Sequence, residues 1–72
     1  MVKVTYTYLF TELSGKPKRY LETKPECTIM GYGVSTDTVT LSVLYQNAEA
    51  FNVLNKALYD KFDLLPNSIK FV

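Results

Sequence analysis

The chain has 72 residues, with eight basic and seven acidic side chains for a formal net charge of +1, and 47% of it is hydrophobic. It is expected to form a single domain over 1–72. It is too apolar for disorder, lacks the basic excess of a domain that tracks a phosphate backbone, and has no apolar run long enough to span a membrane. One cysteine and no histidine rule out an intrachain disulfide and leave a closed zinc site without a ligand set.

From Val2 to Glu12 the residues alternate as a strand does. Val2, Val4, Tyr6, Tyr8 and Phe10 point one way, and Lys3, Thr5, Thr7 and Leu9 the other. Ser14-Gly15-Lys16-Pro17 reads as a turn, and Arg19 to Thr23 as a short second strand that completes a hairpin. Pro25 interrupts pairing, because proline cannot donate to a ladder. Cys27 to Tyr32 is a third strand, with Gly31 and Gly33 pointing to a bulge or bend. Ser35-Thr36-Asp37 is a turn. Thr38 to Tyr45 is the second clear strand, with Val39, Leu41, Val43 and Tyr45 on one side.

The period then changes from two to about 3.6. Asn47 is suited to cap a helix, since its side chain can accept from an orphan backbone N–H. The helix is expected from Ala48 to about Asp63. Phe51, Leu54, Leu58, Phe62 and Leu65 form its apolar stripe, widened by Ala50 and Ala57. Glu49, Asn52, Lys56, Tyr59, Asp60 and Asp63 lie on the opposite face. Pro66 is expected to stop the helix, and Ser68 to Val72 to form a last short strand. The order β-β-β-β-α, with a final β, predicts an α+β fold. A small antiparallel sheet of three to five strands packs on one C-terminal amphipathic helix.

The aromatic stripe of the first strand is read mainly as core. The nine residues Val2–Phe10 extend about 30 Å at ~3.3 Å each. A sixteen-residue helix extends about 24 Å at ~1.5 Å each. The helix is therefore too short to cover the stripe, and about two residues should overhang as a contact surface. A chain of this size buries only about 60% of its unfolded surface. Small scaffolds of this kind use a staple or a second copy, so a homo-oligomer is expected.

The catalytic inventory is poor. Histidine, the commonest general base, is absent. Cys27 beside Ile29 reads as a small buried hydrophobe. Asp60 and Asp63 offer two carboxylates with no third ligand. Gly31-Tyr32-Gly33 lacks the flanking membrane helices of a channel filter, and Gly15-Lys16 lacks the rest of a phosphate loop. No enzyme activity and no cofactor are expected. A lone cysteine without an export signal fits the cytoplasm.

Two surfaces remain. The first is the polar face of the helix, where Tyr59 sits among Asn52, Lys56, Asp60 and Asp63 as an aromatic body in a polar ring, the setting of interface anchors. It points to a non-catalytic protein-binding module that covers a site on a larger protein. The comparison with phage and mobile-element inhibitors or adaptors is one of analogy. The second is the basic run Lys16, Lys18 and Arg19 at the expected hairpin tip. With Tyr8 or Tyr32 stacking on bases, it points to single-stranded nucleic acid. A third reading is a structural homo-oligomer subunit.

Overall fold

The computed structural model describes residues 1–12 and 14–72. Its elements are β1 (Val2–Leu9), α1 (Lys16–Glu22), β2 (Cys27–Val34), β3 (Thr38–Tyr45), α2 (Ala48–Phe62) and β4 (Ser68–Phe71). The fold is α+β: a four-stranded antiparallel sheet in the order β2-β3-β1-β4, with both helices on one face. Among the described residues no helix is long and apolar enough to cross a membrane.

Alternation is read most directly in the central pair. β1 and β3 run in register from Val2 opposite Tyr45 to Leu9 opposite Thr38. Val2, Val4, Tyr6, Val39, Leu41, Val43 and Tyr45 are buried under the helices. α2 adds Phe51, Leu54 and Leu58 from above, and α1 adds Leu21. Asn47 caps α2 as expected, its Oδ1 accepting from the Ala50 amide at 2.8 Å.

The stretch expected as a turn and second strand is a helix instead. Pro17 occupies the first turn of α1, where a proline gives up no needed hydrogen bond and brings a preset φ. Pro17 and Leu21, four apart, are its buried residues, and Lys18 pairs with Glu22 at 3.2 Å on the outside. Seven residues hold too few periods to separate this spacing from alternation. β1 also ends earlier than Glu12, because Thr11 and Ser14 close a tight turn. The Ser14 amide donates to the Thr11 carbonyl at 3.0 Å, and the Thr11 amide donates to Ser14 Oγ at 2.6 Å.

β2 runs on to Val34, past the expected Tyr32, because it carries a bulge. Ile29 pairs with Val43 but Gly31 with Ser42, so Met30 is the extra residue. The insertion reverses the parity of the strand. Tyr32 and Val34 thereby join Cys27 and Ile29 on the helix side, although an unbulged strand would turn them away.

At its far end α2 stops at Phe62, next to the expected Asp63. Asp63 turns left-handed (φ 61°, ψ 31°). Its amide donates to the Tyr59 carbonyl at 2.9 Å, and the Leu64 amide to the Leu58 carbonyl at 3.4 Å. This closing motif tucks the following hydrophobe against the helix. Leu64 is accordingly buried, and Leu65, expected in the core stripe, is 67% exposed.

Leu58 lies at the centre of the core and is fully buried. Leu58→Ala should cost about 2–5 kcal/mol in urea denaturation, whereas Leu65→Ala should move the midpoint little. A large loss at Leu65 together with a small one at Leu58 would contradict this helix end.

Candidate functional site

The polar face of α2 begins with the residue types that leave it outside. Asn52, Lys56, Tyr59 and Asp63 recur at spacings of four, three and four, so they share one stripe. Asn52, Lys56, Tyr59, Asp60 and Asp63 are all exposed. Asn55, which lies near them in sequence, is turned inward. Its Oδ1 accepts from the Tyr6 hydroxyl at 2.8 Å, and the Tyr6 and Tyr45 hydroxyls are 2.7 Å apart. Tyr6 has a single proton, given to Asn55, so Tyr45 donates to Tyr6. The result is a relay from β3 through β1 to α2.

Tyr59 stands at the edge of a cleft of about 670 Å³ between the end of β1, the turn before α1 and the end of α2. Tyr8, Pro17, Phe62 and Leu64 supply its apolar walls, and Asp60, Lys61 and Asp63 a charged rim with two acidic groups and one basic. The Tyr8 hydroxyl donates to the Ser14 carbonyl at 2.7 Å and fixes one wall. The left-handed turn at Asp63 places its carboxylate at the rim. The first strand's stripe runs out here, since Tyr8 is half-buried and Phe10 is 52% exposed. The structure therefore joins Tyr59, Asp60 and Asp63 around one cleft and leaves Asn52 and Lys56 further up the helix. The wall at Pro17 is not foreseen because α1 is expected as a turn and a strand, and the wall at Leu64 because the left-handed turn at Asp63 puts Leu64 rather than Leu65 against the helix.

The basic residues lie on α1 rather than at a hairpin tip. Lys16 and Arg19 are exposed, while Lys18 is engaged by Glu22 and lies 5.6 Å from the centre of the Tyr32 ring. The bulge brings Tyr32 and Lys18 together. Tyr8 and Tyr32 both lie on the helix-bearing face of the sheet. Tyr8 has its hydroxyl engaged by Ser14, and one side of Tyr32 is under Lys18.

The Cys27 thiol donates to the Leu21 carbonyl at 3.4 Å. Burial pushes its pKa up, Glu26 adds to the shift, and Lys24 offsets part of it. That disfavours the nucleophilic thiolate. Comparison with protein-family models, curated proteins and solved structures finds no match, so the site is read from its own chemistry.

Burial also pushes Tyr6 and Tyr8 up to about 12, and it pushes Tyr45 higher still, with the bond to Tyr6 adding to the rise. The fold keeps these phenols protonated, whereas the unfolded chain ionises them near 10. The stability they contribute is intact below pH 10 and is lost as the pH rises through about 12. Alkaline titration should therefore show part of the tyrosinate absorbance appearing only as the far-ultraviolet dichroism collapses. Ionisation of all six tyrosines in a chain with native dichroism would contradict the relay.

Proposed function

We propose that this chain is a small non-catalytic protein-binding module, an inhibitor or adaptor that works by covering a site on a larger protein. The observation that carries the reading is Tyr59. It is 49% exposed at the edge of an apolar-walled cleft with Asp60 and Asp63 on the rim. An aromatic anchor beside a pocket, ringed by polar groups, is the arrangement that concentrates binding energy. The partner surface that fits it offers an apolar side chain to the cleft and basic groups to the two aspartates. Asn52 and Lys56 extend the contact along α2. The cytoplasm is the compartment that suits a chain with one free cysteine.

Capture of partners from host lysate, followed by binding measurements on variants, tests this. Tyr59→Ala should leave the melting temperature nearly unchanged and weaken binding by more than ~1 kcal/mol. Loss of binding in Lys18→Ala and Arg19→Ala, with Tyr59→Ala neutral, would move the surface to α1 and favour nucleic acid.

We also propose that the chain self-associates, through β4. Val2 and Val4 are buried, yet their partners across the ladder, Phe71 and Ile69, are 72% and 43% exposed on the same face. The helix layer ends over β1, and the outer edge of β4 is unpaired. Sedimentation velocity at micromolar concentration should show a dimer or larger species, and Phe71→Lys should shift it toward monomer. A monomer throughout that range would refute this.

A further inference from the structure

The face of the sheet that carries no helix has its own chemistry. Thr5, Thr7, Thr40 and Ser42 point out from the central strands, and Ser68 from β4. None of the four strands carries a carboxylate on this face, and Glu26, just before β2, borders it beside Thr28 and Leu44. Strand parity does place two lysines there, Lys3 of β1 and Lys70 of β4, directly opposite one another. Met1 and Val72 exchange both backbone hydrogen bonds at 2.9 Å. By antiparallel alternation Lys3 and Lys70 are then also a hydrogen-bonded pair, with Cα atoms about 5.5 Å apart. Thr5 faces Ser68 in the next pair on the same side. Lys3, Thr5, Ser68 and Lys70, with Ile69, line a depression of about 300 Å³.

Among the described residues the one ion pair is Lys18–Glu22, and neither Lys3 nor Lys70 has an acidic partner. The hydroxyls of Thr5 and Ser68 make no side-chain hydrogen bond there either. Like charges directly opposite one another weaken a sheet. A lysine on β4 alone would have an ordinary explanation, since edge strands use lysine to discourage further pairing. That does not account for Lys3, whose strand is paired on both sides and whose other neighbour is Leu44.

We propose that Lys3, Lys70, Thr5 and Ser68 form a binding site for a phosphate group. The two ammonium groups balance its charge, each with rotatable donors on a flexible stem that lets them converge on one anion. The two hydroxyls donate to the remaining oxygens and set its orientation. Binding converts a repulsive cross-strand pair into a bridged one and ties β4 to β1 by a second set of contacts. The site lies on the opposite face of the sheet from Tyr59 and does not depend on the protein-binding reading.

A free phosphate ion and the phosphodiester of a nucleic acid share this chemistry, so the probes are inorganic phosphate and an oligothymidylate, titrated separately against ¹⁵N-labelled protein. Phosphate should raise the melting temperature above that in sodium chloride of matched ionic strength, and should perturb the amides of Lys3, Thr5, Ser68 and Lys70. Lys3→Gln and Lys70→Gln should each weaken phosphate binding about tenfold or more. Each should also melt at or above wild type without phosphate, because the repulsion is gone. Oligothymidylate perturbing the same four residues assigns the site to a phosphodiester, and oligothymidylate leaving them still assigns it to a free or terminal phosphate. Equal responses to phosphate and chloride, perturbations centred on Lys16–Arg19, or undiminished binding in Lys70→Gln would each overturn the proposal. The wild-type perturbation map decides even if a variant fails to fold.

Discussion

The hydrogen-bonded relay Tyr45–Tyr6–Asn55 is the constraint on which the arrangement of layers depends. Apolar contacts alone would let α2 slide or rotate on the sheet at modest cost, since oily surfaces are only weakly directional. Two tyrosine hydroxyls inside the core remove that freedom. Each needs a partner, and a buried polar group left without one costs about 1–3 kcal/mol. Only the observed rotation of α2 brings Asn55 to Tyr6 at 2.8 Å. In a chain this small, a penalty of that size is a substantial part of the stability. The T-shaped packing of Phe51 on Tyr45, with ring centres 5.5 Å apart, holds the other end of the helix in the same setting.

With α2 fixed, the surfaces follow. Its outer stripe carries Tyr59 to the cleft at the end of β1, and its width leaves β4 uncovered. Charge is grouped locally as well. Lys3 and Lys70 stand together at the β1–β4 border of the helix-free face, Asp60 and Asp63 flank Lys61 at the end of α2, and Lys16, Lys18 and Arg19 share α1. A near-neutral total of +1 is a poor guide to partners when charge is clustered in this way. The same holds for aromatic content. Tyr6 and Tyr45 serve the core, Tyr8 ties down a turn, and Tyr59 stays exposed on the outer face of α2.

Sequence legibility followed the length of each periodic run. β3 spans the residues that alternation marks out, and α2 begins at the cap that Asn47 supplies, because eight strand residues and four helical turns repeat their pattern often enough to be unambiguous. α1 was misread because one signal had two meanings. Gly15-Lys16-Pro17 suits a turn and equally suits a helix start, and Pro17 and Leu21 give only one helical interval to decide between them. The end of α2 falls within one residue of the expected Asp63, but Leu65 is expected in the core stripe because Pro66 is the visible stop, whereas the left-handed aspartate that sends Leu64 inward instead leaves no mark in composition. Of the candidate surface, the exposed stripe on α2 was legible from spacing. The cleft beside it was not, because it is assembled from three segments whose ends are set by tertiary contacts. The Lys3–Lys70 pair needed the strand order, which places β4 beside β1 rather than beside β3.

The single extra residue in β2 decides where that strand can change in length. Before the bulge odd-numbered residues face the helices, and after it even-numbered ones do. Removing Met30 itself would take out the bulge and leave a regular ladder in the present register, with Cys27, Ile29, Tyr32 and Val34 still on the helix side. An insertion or deletion away from the bulge instead exchanges the two surfaces over part of the strand, whereas substitutions along β2 change one contact at a time. Among variants of this chain that remain folded, β2 should therefore differ in residue identity and change its residue count only at the bulge.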